Sequence, residues 1–166
     1  MLDGERVGFA TILLMDPKCD ACQFLQNPTH QILKTDLWAV GLGNNQAYFG
    51  RAYMTLRTHK SSLSELSSDD WREFEDNVRK LESAYKAAFG ATPLNWGCYM
   101  NNAFRDDPPH PHVHWHIYPR YKQAPVLDGV AYDDPLFGEF YDNDAERIVS
   151  DAVVDQIAEK LKPYLA

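Results

Sequence analysis

Cysteine is scarce in this chain: three in 166 residues. An odd and small number builds no disulfide framework, so reduced thiols in a cytoplasmic setting are expected. Long apolar runs are missing too. Nothing approaches the roughly 18 consecutive apolar residues of a membrane-spanning helix, so no membrane partner is expected. The short apolar stretch from Gly8 to Met15 follows Asp3 and Glu5, with only Arg6 to oppose them. A secretory leader opens with positive charge, so no signal peptide is expected. Positive charge is short overall: 16 Lys and Arg against 24 Asp and Glu, a net −8. That excludes a general binder of nucleic-acid polymers, which needs a basic face. A small anionic substrate stays open, because a local cluster of donors suffices for it. Internal repeats and low-complexity tracts are also absent.

What remains is ample for a core. Apolar residues make up 45% and aromatics 13%, and a chain near 150 residues buries roughly 70% of its unfolded surface. One domain over residues 1–166 is expected. Residues 36–42 and 47–57 pattern as strands about a Gly43-Asn44-Asn45 turn. Residues 68–89 pattern as a helix: Trp71, Phe74, Val78, Leu81, Tyr85 and Phe89 recur at helical spacing. Ser67 or Ser68 caps its start, Asp69 and Asp70 suit its first turn, and Gly90 ends it. Strands follow at 94–101 and 112–118, then a helix at 144–162 closed by Pro163. Short-linked strands with segregated helices indicate an α+β fold: a mostly antiparallel sheet with two main helices.

The chemistry concentrates in His112-Val113-His114-Trp115-His116-Ile117-Tyr118. A strand repeats every two residues, so the three imidazoles leave one face while Val113, Trp115 and Ile117 leave the other. Same-face neighbours lie about 6–7 Å apart, close enough to act on one small ligand or one metal. A surface strand that happens to carry histidines fits poorly, since half of the chain's six histidines would sit there by accident. A second constellation is Cys19-Asp20-Ala21-Cys22, read as a metal hook, a redox pair or an accident. Asp16 and Pro17 before it suggest a loop, which suits a metal turn, and structural zinc would need two more ligands. Cys98 reads as a small buried hydrophobe.

The triad fits His-φ-His-φ-His-φ-φ, with φ apolar, and Pro119-Arg120-Tyr121 follows directly. Upstream lie Ile32-Leu33-Lys34-Thr35-Asp36-Leu37-Trp38-Ala39-Val40, Gly50 and Arg57-Thr58-His59-Lys60. Together these resemble the histidine triad (HIT) superfamily over about residues 17–122. The resemblance does not extend to the flanks, an N-terminal extension 1–16 and a C-terminal helical extension 123–166. The resemblance implies a HIT-like fold and a nucleotide hydrolase or transferase, similar to diadenosine polyphosphate hydrolases. It makes His114 the nucleophile at an α-phosphate, with His116 bonding a phosphate oxygen or the leaving group. His112 orients the others if it is not on zinc. It also implies a structural zinc on Cys19, Cys22, His59 and His112, with His110 a rival for the fourth place. Such a metal contributes on the order of 10 kcal/mol locally. No organic cofactor is implied.

Substrate contacts implied by the resemblance are Asn101, or its neighbour Asn102, to phosphate and Asn44 to ribose. Gly43, which has no side chain to offer, is the competing alignment for Asn44. Arg105 and Arg120 flank the triad, as phosphate attractors or as solvated charges. Phe24 and Leu25 serve a base pocket or the core. Phosphoramidase-type members resembling this chain carry Gln-Ser where Pro108 and Pro109 stand, and proline lacks both the side-chain donor and the N–H. That leaves dinucleoside polyphosphate hydrolysis or nucleotidyl transfer open beside phosphoramidate cleavage, and His116, glutamine in the transferase branch, favours hydrolysis. Two other readings compete: a non-catalytic nucleotide-binding or interaction module, and a metalloenzyme with its metal on the triad. A homodimer is a further implication. The segment 132–141 reads as a lid, a partner surface or packing, and its aromatic content favours packing.

Overall fold

Residues 16–166, apart from Asn27 and Asn143, are described by a computed structural model. The Gly8–Met15 stretch and its leader question lie outside the described residues. Helix α1 (Asp20–Gln26) is followed by strands β1 (Gln31–Lys34), β2 (Trp38–Leu42) and β3 (Ala52–Leu56). Helix α2 (Ser68–Phe89), β4 (Leu94–Gly97) and β5 (His114–Pro119) come next. A two-residue-per-strand hairpin, β6 (Val126–Leu127) with β7 (Val130–Ala131), precedes α3 (Asp151–Leu161). The main sheet runs β1-β2-β3-β5-β4, every pair antiparallel. The α+β expectation holds. No helix among the described residues is long and apolar enough to cross a membrane.

The sheet has two unlike faces. Trp38, Val40, Ala52, Met54 and Ile117 join Leu81, Tyr85 of α2 and Val154, Ile157 of α3 in one core. The alternate residues face the other way, and the register sets Thr55 opposite His114 and Tyr53 opposite His116. The triad strand is therefore central, with a packed back and a chemically loaded front.

Helix α2 spans the residues that its pattern predicts. Ser67 Oγ accepts from the Asp70 N–H (3.2 Å) and Asp70 accepts from the Ser67 N–H (2.6 Å), a reciprocal cap. Gly90 ends the helix at φ 73°, where a side chain is strained. Trp71, expected in the stripe, sits on its rim and is 40% exposed.

Other boundaries move. The strand expected at 47–57 begins only at Ala52. Gln46, fully buried, holds residues 43–51 as a loop: its amide donates to the carbonyls of Gly43 (2.5 Å) and Arg51 (3.2 Å), and its Oε1 accepts from the Gly50 N–H (2.6 Å). The strand expected at 94–101 stops at Gly97, and a 3-10 turn takes Asn101–Phe104. The last helix starts at Asp151 rather than 144, because the backbone before it is paired elsewhere. Ile148 bridges to Asn45 and the Val149 N–H donates to Asn44 (3.0 Å). Pro163 lies inside a closing 3-10 turn, Lys162–Tyr164. Neither α1 nor β1 is visible in the periodicity, being seven and four residues long.

Candidate active site and metal centre

His114 and His116 project from β5 into a cavity of about 590 Å³, a volume suited to a nucleotide-sized ligand. His114 Nδ1 lies 2.8 Å from the His112 carbonyl. A carbonyl only accepts, so Nδ1 carries the hydrogen of this contact and the lone pair of the neutral ring lies on Nε2. That lone pair faces His116 Nε2 at 3.2 Å, which makes His116 the donor of this contact. His116 Nδ1 is buried and, among the described residues, has no well-formed hydrogen-bond partner, although the Tyr99 backbone lies close enough to act on the imidazole in the raising direction. Burial first, then the neighbouring His114 and Arg51, hold the His116 imidazole down to about 4. It is neutral at any ordinary cellular pH. The pair is thus one bare nitrogen beside one N–H donor, aimed into the same space.

A second cluster sits beside the triad. Cys19, Cys22, His59 and His112 place their ligand atoms within 4.8 Å of one another. His112 Nδ1 is 3.4 Å from both sulfurs, and His59 Nδ1 is 3.3 Å from Cys22. Ligands of a tetrahedral zinc, at bond lengths near 2.3 Å for sulfur and 2.0–2.1 Å for nitrogen, stand about 3.6 Å apart. The spacing and the soft sulfur–imidazole donor set both fit that ion. His112 Nε2–H donates to the Leu56 carbonyl (2.7 Å), which turns Nδ1 toward the thiols. Burial pushes the Cys22 thiol up to about 11 and holds His112 down to about 4. Both groups thus stay neutral without a cation. His110, the rival ligand, pairs with Asp16 (2.5 Å) and stands outside the cluster. The Cys pair does not sit in a loop as expected: Cys19 abuts the start of α1 and Cys22 lies within it. Cys98 is half-buried rather than buried.

The expected substrate contacts divide. Asn101 and Asn102 line the cavity. Asn44 does not: its amide donates to Asp151 (2.8 Å) on α3, and Gly43 takes the place on the cavity wall. A ribose contact from Asn44 is corrected accordingly. Arg120 is corrected as well. It is 3% exposed and spent on Asp134 (2.7 and 3.0 Å) and on the Leu136 and Glu139 carbonyls. Arg105 is exposed and lies off the cavity wall. Phe24 is on that wall, lying against Gly41, where an added Cβ would meet its ring at 2.5 Å. Leu25 belongs to a separate small depression. Arg51, Tyr53, Tyr99 and Lys18 line the cavity and were not among the expected residues. A signal for two of them existed, since Arg51, Tyr53 and Thr55 alternate on the face that β3 shares with the triad.

No protein-family model and no curated protein matches the sequence. Solved structures do match. A HIT-like protein involved in cell-cycle regulation from Bartonella henselae is 18% identical, with a TM-score of 0.63 over 91% of this chain and 98% of that one. A zinc-bound histidine triad family protein from Mycobacterium smegmatis is 16% identical, with a TM-score of 0.60 over 89% and 93%. A histidine triad protein from Marinobacter aquaeolei is 19% identical, with a TM-score of 0.60 over 86% and 93%. This chain has the histidine triad fold.

Proposed function

We propose that this chain, built on the histidine triad fold, belongs to the HIT superfamily and works as a nucleotide hydrolase. It would cleave at the α-phosphate of a dinucleoside polyphosphate or nucleoside phosphoramidate and release a nucleoside monophosphate. The observation that carries this reading is the His114–His116 pair: a His114 ring oriented by its Nδ1–H on the His112 carbonyl (2.8 Å), with the neutral His116 N–H donor 3.2 Å from its Nε2. Simple binding calls for no ring nitrogen turned toward ligand space by a hydrogen bond on the opposite nitrogen.

In this reading His114 Nε2 attacks the α-phosphorus, and the bond to the leaving atom breaks with its electron pair, a polyphosphate departing as its anion and an amine taking a proton from solvent as it departs. A nucleotidyl-histidine forms. Water then adds its oxygen to phosphorus and gives up its proton to solvent, the P–N bond breaks with its electron pair going to Nε2, and His114 recovers its neutral ring, so one hard displacement becomes two easier ones. His116 Nε2–H turns from His114 to a phosphoryl oxygen as negative charge gathers there. Asn101 and Asn102 are the side-chain amides at hand for the same oxygens. Cys19, Cys22, His59 and His112 would hold a zinc whose part is structural: it fastens α1 to the residue that starts the triad. The same reading takes the protein to be cytoplasmic, with no organic cofactor, and a homodimer. Among the described residues β4 is an edge strand of the sheet, and sedimentation checks that state.

The test is intact-protein mass spectrometry with diadenosine tetraphosphate and adenosine phosphoramidate, wild type beside His114→Asn. Wild type is expected to release AMP through a transient AMP adduct. The variant should lose both adduct and at least ~10³-fold of turnover. Nucleotide bound without turnover would leave a binding module instead, and activity surviving in the variant would remove His114 from its role.

A further inference from the structure

Arg51 is a cation of the cavity wall that the reading above leaves unused. It immediately precedes β3, and its backbone is fixed on both sides: its N–H donates to Tyr48 (2.9 Å), while its carbonyl accepts from Gly43 (3.3 Å) and Gln46 (3.2 Å). The guanidinium lies over the ring of Tyr118, 4.9 Å from its centroid, and 5.5 Å from that of Tyr53. Its Nε is buried with no hydrogen-bond partner, and among the described residues it makes no ion pair. Arg120 is the contrast, being neutralised by Asp134. Aromatic faces attract a cation through their quadrupole but do not cancel its charge. Arg51 is therefore positioned without being spent.

The same two rings bracket His116. Tyr53 meets it edge-on at 5.0 Å, and Tyr118 lies parallel to it at 6.1 Å. Tyr118 is in turn backed by Tyr141, stacked at 4.3 Å, and Tyr141 shares a hydroxyl contact of 2.7 Å with Tyr99. The charge thus stands next to the triad, on a rigid aromatic support. His114 and His116 already provide for the α-phosphate. A guanidinium is a two-pronged donor that matches the oxygens of one phosphate.

Resting on the hydrolase reading above, we infer that Arg51 binds the phosphate beyond the scissile bond and selects substrates whose leaving group is itself a phosphate chain. An amine leaving group gives such a cation nothing to hold. Lys18, Asp20 and Asp106 are the other charged residues of the cavity wall, so the effect must be traced to position 51 itself.

The experiment has a binding arm and a kinetic arm. Calorimetry with inorganic tripolyphosphate is expected to detect binding to wild type, weakened roughly 10- to 100-fold in Arg51→Gln, the loss of one charge-assisted contact. The ratio of kcat/KM for diadenosine tetraphosphate to that for adenosine phosphoramidate should fall by a similar factor in Arg51→Gln and recover in part in Arg51→Lys. Absence of tripolyphosphate binding to wild type would overturn the inference, as would equal binding by wild type and Arg51→Gln. So would a substrate ratio left unchanged by the substitution. If wild type turns over neither nucleotide, the hydrolase reading fails while the tripolyphosphate arm still decides the role of Arg51.

Discussion

His116 is kept neutral against its own chemistry, and that has a measurable cost to the fold. Its folded value, about 4, lies below the ordinary 6.5. Between those values the unfolded chain takes up a proton that the native site refuses, so stability falls as pH drops through that window and is flat above it. We predict that His116→Gln makes the pH 7-to-5 loss of stability shallower, without abolishing it. Urea midpoints at the two pH values check this, and an unchanged slope would show that His116 takes its proton in the fold. The triad was legible in sequence because period two and the rarity of histidine coincide there. Arg51 was legible only as a residue in step with Tyr53 and Thr55; its unpaired place in the cavity was not, since that depends on the loop that Gln46 folds.

At the scale of elements, α2 was readable end to end because its signals are local: serine before, acids in the first turn, glycine after. Asp70 carries more than a cap, for Lys60 also pairs with it (2.5 Å). Burial would raise its carboxyl, but Lys60 and the Ser67 groups outweigh that and hold it below 3.8. Its contribution is present above that value and fades as pH falls below it. Asp70→Ala is expected to cost about 3 kcal/mol, the scale for stranding one partner of a buried pair, by chemical denaturation at pH 7. Helix α3 was begun too early because Ile148 and Val149 continue its apolar spacing. Pairing with the 43–51 loop, a partner distant in sequence, overrides that spacing. Helix α1 is too short to hold itself and depends on what its cysteines grip. Chelation should therefore lower the melting midpoint by on the order of 8 °C for a site filled at a hundred times its Kd. Cys22→Ser should melt at the chelated value and ignore the chelator.

Across the whole molecule, the C-terminal segment is a strap that laps the site. Asp134 receives Arg120 and the Tyr121 N–H (3.1 Å), and Tyr132 enters the core. The Tyr48 hydroxyl accepts from the Asp142 N–H (2.5 Å), and Tyr141 closes the aromatic stack behind His116. The aromatic content of 132–141 pointed to packing. Which ring would reach the site was invisible, because it depends on a turn built by Arg120 from carbonyls sixteen and nineteen residues on. Tyr141→Ala is expected to lower kcat/KM about tenfold, as the His116 support loosens by roughly the 0.5–1.5 kcal/mol of one aromatic pair. Tyr141→Phe should keep the stack and most of the rate.

The Arg120–Asp134 pair bears on how this chain can change over generations. Either charge alone would be stranded in the interior, so Asp134→Ala or Arg120→Met by itself should cost about 3–5 kcal/mol, a large part of a domain's stability. Replacing both by apolar residues of similar volume should cost much less, which a double-mutant cycle measures. The two positions therefore behave as a single heritable character: descent can keep both or exchange both, and lineages that lose one are at a disadvantage until the other follows.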